Sequence, residues 1–192
     1  YNTKAADVAP PQTRVTLIKG ATDSMVKKDG TVSMDNVTNG STTVLRAAAP
    51  KHLQTNTIIT SGQEFRSNLY PETMINALLD IVGQQRAQSF EGAPTVIWGR
   101  VALDGKTLSG IEVNVESDPS LQAVYFNQFM LPDPKLTKTS DNGLFAFVAA
   151  EPGFHSLLAT RGESILGYSN VVVEEGAVAQ GEGFARPTKF MC

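Results

Sequence analysis

Histidine is the candidate general base in this sequence, and it occurs twice, as His52 and His155. Nucleophilic catalysis requires a nucleophile, a base and a group that orients the base. No Gly-x-Ser-x-Gly motif accompanies either histidine. We interpret His52 as a turn residue and His155 as a core or boundary residue in a strand. The sequence therefore predicts no catalytic residue and no enzyme.

Oxygen-bearing side chains in predicted loops are the candidate metal ligands. Asp133, Asp141 and Asn142 have the ligand atoms that calcium prefers. No Asp-x-Asp-x-Asp-Gly run supports a calcium loop, whereas Asp-Asn-Gly is a common turn sequence because Asn and Gly accept positive φ angles. We favour the turn, and we predict neither a metal nor a cofactor.

The chain has a single cysteine, Cys192, at its last position. One thiol cannot form a disulfide within the chain or a cysteine-rich metal site. Pairing between chains, a reactive thiol and a cut in a longer protein remain alternatives. Phe190-Met191 has the pattern of a strand, so we expect further sequence after Cys192.

Composition excludes several classes of function. The formal net charge of −3 gives no basic surface for nucleic acid or an anionic membrane. The longest apolar runs are much shorter than the about 20 residues of a membrane-spanning helix. No Gly-x-Gly-x-x-Gly segment opens a helix, as a phosphate-binding loop would. We predict no nucleic-acid partner and no membrane span.

The positions of these residues depend on strands that alternate with turns. In the first third of the chain, turn signals at Asp29-Gly30 and Asn39-Gly40 separate short alternating segments. The predicted strands there cover residues 14–19, 31–34, 41–48 and 56–60. Strands resume at Pro94 and continue to about Val178, and the tail from Gln180 is predicted to be irregular.

One segment between the two sets of strands predicts a helix, over about 71–82. Pro71 suits the first turn, and Glu72 complements the helix dipole there. Gly83 is a plausible stop, and residues 84–92 are interpreted as a polar linker. One apolar face is formed by Met74, Ile75, Leu78, Leu79 and Val82.

Four short patterns in the second half carry a resemblance to a known family. They are Ile97, Gly99 and Val101; Gly105, Leu108, Gly110, Val113 and Val115; Thr139, Asp141, Gly143, Phe145 and Phe147; and Pro152, Gly153, His155 and Leu157. With them, residues 95–178 resemble the carboxypeptidase regulatory-like family, also called prealbumin-like or transthyretin-like. The resemblance implies an immunoglobulin-type β-sandwich and a secreted or cell-envelope location, but one such fold hosts many functions.

The first half of the chain resembles the second half in the spacing of its turn glycines. The step from Gly30 to Gly40 equals the step from Gly143 to Gly153, so the N-terminal region resembles a degenerate second copy. Residues 14–60 offer about four strands, which is few for an independent sandwich. Upstream strands, the helix at 71–82 or another chain are the alternatives that would complete it.

Apolar side chains are the candidate interaction surface. Strand alternation places Trp98, Phe154 and Leu158 on faces that a lone sandwich leaves exposed, and further aromatic residues crowd the long loop after Val115. The alternative is that they pack beneath that loop or against the helix. The candidate residues are Trp98, Tyr125, Phe126, Phe129, Met130 and Phe154.

The sequence thus predicts a mainly β protein with a prealbumin-like sandwich, a smaller β-rich N-terminal region and one bridging helix. We place the N-terminal region at 1–66, the helix and linker at 67–93, the sandwich at 94–179 and a tail at 180–192. The expected function is a non-catalytic structural or interaction module of a secreted or cell-surface protein or assembly. A protein partner or self-association is expected. A carbohydrate-binding module with an aromatic platform, Trp98 and Tyr125 foremost, is the alternative.

Overall fold

The computed structural model describes residues 9–18, 23–27, 29–32, 38–62, 65–103, 105–182 and 184–185. The chain is mainly β, as predicted. Its helix is α1 (Glu72–Arg86). The strands are β1 (Arg14–Leu17), β2 (Asp23–Met25), β3 (Thr42–Ala48), β4 (His52–Thr60), β5 (Tyr70–Pro71), β6 (Thr95–Arg100), β7 (Ala102–Leu103), β8 (Lys106–Thr107), β9 (Glu112–Val115), β10 (Val124–Tyr125), β11 (Leu144–Val148), β12 (Gly153–Arg161), β13 (Ser164–Val173) and β14 (Ala177–Gly181).

A nine-stranded sheet runs through both halves of the chain. Its order is β10-β11-β6-β14-β4-β3-β1-β2, and β5 pairs with β4 beside this path. Strand β14 is parallel to both β4 and β6, while the other pairs are antiparallel. Strands from the predicted N-terminal region and from the predicted sandwich therefore share one sheet, and the boundaries near residues 66, 93 and 179 stay predictions.

Strand β14 corrects the expectation that the chain is irregular from Gln180 onwards. Ala and Gly have low strand propensity, so Ala177–Gly181 carries a weak strand signal. The small residues are needed because the neighbours are close: a Cβ on Gly181 would lie 2.8 Å from Leu157 Cδ1, and one on Gly99 would lie 2.1 Å from the Gly181 carbonyl oxygen. Packing in the centre of the sheet decides this strand.

A second sheet, in the order β13-β12-β9, covers one face of the large sheet. On β12 the alternation is as predicted, with His155, Leu157 and Ala159 buried. The two sheets enclose the largest core cluster, which makes this part of the chain a β-sandwich. Its prealbumin-like type stays a prediction. Members of the core from both sheets include Ile97, Val101, Phe145, Phe147, Ala179, Val113, Val115, Leu157, Val171 and Val173.

Helix α1 ends later than predicted. It continues through Gly83 to Arg86, and Ala87 forms a left-handed cap with φ 52° and ψ 41°. The amide of Gln88 donates to the Gly83 carbonyl oxygen at 3.0 Å. A Cβ on Gly83 would lie 2.7 Å from the Gln88 carbonyl oxygen, so this glycine permits a close approach inside the last turn. Pro71 is the N-cap residue rather than part of the first turn.

The apolar face of α1 packs on the opposite face of the large sheet from the second sheet. Ile75, Leu78 and Val82 are fully buried there, whereas Met74 is exposed. The helix and the second sheet together cover the central strands on both faces, so all five residues of β11 are buried. Strands that are buried on both faces have continuous apolar sequences, and β11 reads Leu-Phe-Ala-Phe-Val.

The N-terminal strands extend the large sheet. Their core is a small cluster of five buried residues, Val15, Leu17, Leu45, Ala47 and Ile59. The expectation of a second sandwich copy is not met in the part of the chain that the structure describes. Predicted strand 31–34 lies partly outside that part, and Thr31 and Val32 are not in a strand.

A polar network joins the N-terminal strands to the second sheet. Arg46 on β3 pairs with Glu174, which follows β13. Gln54 Nε2 donates to Glu174 Oε2 at 3.0 Å, and Asn56 Nδ2 donates to the Val172 carbonyl oxygen at 3.4 Å. Burial raises the pKa of Glu174, but the hydrogen bonds from Arg46 and Asn56 outweigh it and hold the pKa below its usual value.

Candidate interaction surfaces

Trp98 and Phe126 belong to an aromatic cluster beneath α1. The Trp98 ring centroid lies 5.5 Å from that of Tyr70 and 4.8 Å from that of Phe126. Phe126 is buried and Trp98 is partly buried, in the same cluster as Ile75. The exposed position predicted for Phe126 is therefore wrong, and Trp98 is only partly exposed. Both rings belong to the cluster that includes the apolar face of the helix, which is the alternative that the sequence left open.

Tyr125 is also buried, in the core of the sandwich. Its side chain is 5% exposed, and its hydroxyl accepts a hydrogen bond from the Val113 amide at 2.8 Å. Burial raises the pKa of the Tyr125 hydroxyl. The expectation that Tyr125 lies on a surface is wrong because residues 124–125 form strand β10, which alternates between the two sides of the large sheet.

Phe129, Met130 and Leu131 are exposed, as the sequence predicts for the first two. Their exposed fractions are 71%, 59% and 57%. They lie in a turn within the long connection between β10 and β11. We call these three residues the apolar tip. Exposure of three consecutive large apolar side chains is uncommon on a soluble surface without a function.

The apolar tip has a defined backbone. Asn127 Oδ1 accepts hydrogen bonds from the Phe129 amide at 2.9 Å and the Leu131 amide at 3.2 Å. The Asn127 amide donates to the Leu131 carbonyl oxygen at 2.9 Å, and Met130 has a positive φ of 60°. These bonds close the turn, and the three side chains are therefore presented on an ordered loop.

Asn142 fixes the base of the tip, which sequence reasoning missed. Its Nδ2 donates to the Asn127 carbonyl oxygen at 2.7 Å, and its Oδ1 accepts from the Leu144 amide at 2.9 Å. Ser140 Oγ donates to the Phe126 carbonyl oxygen at 2.6 Å. The Asp-Asn-Gly pattern indicated the turn, but no local signal links Asn142 to a residue that is fifteen positions away.

The outer face of the second sheet is a further apolar surface. Phe154 is 61% exposed and Tyr168 is 39% exposed. Between them Ser156 Oγ donates to Asn170 Oδ1 at 3.0 Å. We call this surface the outer face. The predicted exposed position of Phe154 is confirmed. Tyr168 was not among the predicted surface residues, because the sequence indicated it only as part of a closing strand.

His155 has a partner at each ring nitrogen. Its Nε2 lies 2.7 Å from the Glu151 carbonyl oxygen, and its Nδ1 lies 2.7 Å from Ser117 Oγ. Because a carbonyl oxygen only accepts, Nε2 carries a proton and donates it to Glu151. His52 starts strand β4 rather than lying in the turn, and its Nδ1 lies 2.9 Å from the Pro50 carbonyl oxygen.

Two of the candidate calcium ligands, Asp133 and Asn142, accept hydrogen bonds from backbone amides. Asp133 Oδ1 accepts from the Lys135 amide at 3.0 Å. Asn142 has the bonds described above, and the Gly143 amide donates to the Ser140 carbonyl oxygen at 2.9 Å, so the interpretation of Asp-Asn-Gly as a turn is correct. Among the described residues, no three His, Cys, Asp or Glu side chains are grouped so that they could hold a metal ion. Cys192 lies outside the described residues. The described part of the chain has no helix that is long and apolar enough to cross a membrane.

A groove lies over the N-terminal strands, and sequence reasoning did not predict it. Its volume is about 1000 Å³, and its lining includes residues from segments 9–15, 30–32, 45–47 and 65–69 together with Val26 and His52. We call it the N-terminal groove. Its apolar lining includes Val15, Val26, Val32, Leu45, Phe65 and Leu69.

No protein-family model, curated protein or solved structure matches this chain significantly.

Proposed function

We propose that this chain is a non-catalytic structural and interaction module of a secreted or cell-surface protein or assembly. The resemblance of residues 95–178 to the carboxypeptidase regulatory-like family supports the location and the class of module. The β-sandwich supplies a rigid support, and its loops and exposed faces supply the contacts.

The apolar tip is the observation that carries this proposal. Its three side chains are more than half exposed, whereas Tyr125 and Phe126, just before them, are buried. The fold therefore buries the first two aromatic side chains of this segment but leaves the apolar tip exposed to water. An ordered loop also loses little conformational entropy on binding, so its apolar contacts contribute more fully to affinity.

Site-specific photocrosslinking tests the proposal. We expect p-benzoylphenylalanine at position 129 to form adducts of discrete mass in an extract of the host cells. The same group at Glu163, in an exposed turn between β12 and β13, serves as the matched control and should form none. Excess unlabelled chain should suppress the adducts, while excess chain with Phe129, Met130 and Leu131 changed to serine should not. Equal labelling from both positions, or no adduct at all, would reject the interaction module.

Glycan binding at the outer face is the second candidate function. Tyr125 is buried and Trp98 is partly buried, and they lie on opposite sides of the large sheet, so they cannot form the expected platform. Phe154 and Tyr168 offer exposed rings on one sheet. The side chains of Ser156 and Asn170 lie between them and supply hydroxyl and amide groups. Flat aromatic rings combined with such groups suit the apolar and hydroxyl faces of a sugar.

Affinity electrophoresis in gels with soluble β-glucan or xylan tests this second function. Retardation should be lost in Phe154→Ala and in Tyr168→Ala, both of which change exposed side chains. Phe129→Ala is the control and should migrate like the unchanged chain. If neither polysaccharide retards the chain, or if all three variants are retarded equally, the outer face is not a glycan site of this type.

A further inference from the structure

We infer that Asn39 deamidates spontaneously in the folded chain, by cyclisation onto the backbone nitrogen of Gly40, whereas Asn142 is protected. The chain contains two Asn-Gly pairs, 39–40 and 142–143. Asparagine is a thermolabile residue, and a following glycine has no Cβ that hinders attack on the asparagine side chain. The local sequence makes both pairs reactive, and the surrounding structure distinguishes them. This modification site goes beyond the proposed interaction function and does not depend on it.

The reaction needs only water and hydroxide. The Gly40 nitrogen loses its proton to hydroxide and attacks Asn39 Cγ. A bond forms between that nitrogen and Cγ, the bond from Cγ to Nδ2 breaks, and Nδ2 takes up a proton and leaves as ammonia. Water then opens the cyclic imide at either carbonyl carbon, which gives aspartate or isoaspartate at position 39. Each product has one negative charge more than the formal −3 of the unmodified chain.

The reactive pair lies in an open turn. Asn39 and Gly40 are both exposed. The Ser41 amide donates to the Thr38 carbonyl oxygen at 3.1 Å and closes the turn around them. Gly40 has a φ of 77°, and a Cβ at this position would meet no atom within 4 Å. The space around the attacking nitrogen is therefore open to the side chain and to water.

The contacts that hold this pair are weak. The Gly40 amide donates to the Ser61 carbonyl oxygen at 3.3 Å, which is longer than a usual N–H···O bond. This bond lies just before the first paired residues of β3 and β4, where a ladder opens readily. Asn39 Oδ1 lies beside Gly62, since a Cβ on Gly62 would be 2.4 Å from it. Both of these residues are exposed, so no packed layer holds the asparagine side chain there.

The second pair is held at both reacting groups. Asn142 Nδ2 donates to the Asn127 carbonyl oxygen at 2.7 Å, and its Oδ1 accepts from the Leu144 amide at 2.9 Å. Gly143 is buried, and its amide donates to the Ser140 carbonyl oxygen at 2.9 Å. Attack by the Gly143 nitrogen would require these bonds to break together. Deamidation of Asn142 therefore has to wait for local unfolding.

The contrast has a structural consequence at each end of the sheet. Protection of Asn142 preserves the bond to the base of the apolar tip. Isoaspartate at position 39 adds a carbon atom to the backbone of the turn that leads into β3. The Ser61 amide donates to the Ser41 carbonyl oxygen at 2.9 Å just beyond this turn. The modification should therefore alter the start of the β3–β4 pairing and leave the tip unchanged.

Incubation of the full 192-residue chain in heavy-oxygen water at pH 8 tests the inference. Digestion in ordinary water and mass spectrometry follow; tryptic peptide 29–46 contains Asn39, and peptide 139–161 contains Asn142. Aspartate and isoaspartate should appear at position 39, each with one heavy oxygen atom. They should form at least about tenfold faster than at position 142, because Asn142 must wait for local opening. The rate at position 39 should rise from pH 7 to pH 9, because hydroxide removes the Gly40 proton.

Two controls separate the effect of the fold from that of the sequence. In concentrated urea the rates at the two positions should converge, because both pairs then lack structure. Asn39→Gln keeps the amide but requires a larger ring that forms much more slowly. This variant should lose the change at position 39 and keep the rate at position 142. Circular dichroism checks its fold, and Asn39→Ser replaces it if it does not fold.

Three results would overturn the inference. The first is a folded chain in which position 39 stays unmodified while the chain in urea reacts. The second is an equal rate at positions 39 and 142 in the folded chain. The third is product without heavy oxygen, which would mean that the acid was present before the incubation.

Discussion

The two ends of the nine-stranded sheet differ in how they are covered. The strands β11, β6 and β14 lie between α1 and the second sheet. All residues of β11 and β14 are buried, and so are Val96, Ile97 and Gly99 on β6. The strands β1 and β3 share a cluster of five buried side chains beside an open groove. One continuous sheet therefore has a part that is packed on both faces and a part with a small core beside a groove.

Alanine substitution of one buried leucine at each end of the sheet should show the difference in packing most clearly. Leu157 and Leu45 are each 0% exposed, but Leu157 lies between two sheets and Leu45 lies beside the groove. Each change to alanine should lower the free energy of unfolding by about 2–5 kcal/mol, with Leu157→Ala nearer the upper limit because its neighbours are less able to relax. Urea titration of both variants measures this. Equal losses would show that the two ends are packed equally well.

Removal of the Tyr125 hydroxyl tests the polar contacts of the well-packed end. Tyr125→Phe leaves the buried Val113 amide without its acceptor, which should cost about 1–3 kcal/mol of unfolding free energy. Tyr168→Phe is the matched control, because its hydroxyl is on the exposed outer face, and it should change stability by less than about 0.5 kcal/mol. Urea titration distinguishes them. A neutral Tyr125→Phe would mean that another group satisfies the amide.

Loss of the Arg46–Glu174 ion pair should have the smallest effect on the free energy of unfolding. The size of that effect should depend on pH. Glu174 has a folded pKa below the unfolded value of 4.5, so its ionised form stabilises the fold. That contribution is complete above the unfolded pKa and is lost as the pH falls through the folded pKa. Because Arg46 is 38% exposed, we expect less than about 1 kcal/mol.

Glu174→Gln supplies the comparison for this pH dependence. The variant should be less stable than the unchanged chain at pH 7. The difference should begin to fall below pH 4.5 and should vanish once the pH is below the folded pKa of Glu174. Thermal unfolding of both proteins between pH 3 and pH 7 measures it. A difference that stays constant across this range would assign the effect to packing rather than to charge.

Local patterns predicted much of the fold. Alternation on residues 153–159 correctly placed His155 inside and Phe154 outside, and the helix face over 75–82 was largely correct. Strand β14 was missed because its alanines and glycines gain their strand conformation only from close neighbours. The end of α1 was missed because Gly83 serves a close backbone approach rather than a cap.

The candidate surface was predicted in part, and the errors have one cause. Alternation shows which side of a strand a residue occupies, but not whether another element covers that side. Trp98 and Phe126 lie on the side that α1 covers, and Tyr125 faces the second sheet. Phe129 and Met130 lie in a turn that no other element covers, so the sequence predicted their exposure correctly.

The sequence by itself determined the mainly β class, most strands, the helix and the turns, because these depend on the local periodicity of apolar residues and on glycine and asparagine in turns. Only the tertiary structure decided that β14 joins the two halves, that Phe126 and part of Trp98 are covered on the side of the sheet where α1 packs, and that Asn142 bonds to the base of the tip. Each of these depends on contacts between residues far apart in the chain. The same long-range packing places an apolar tip and an open groove at opposite ends of one sheet.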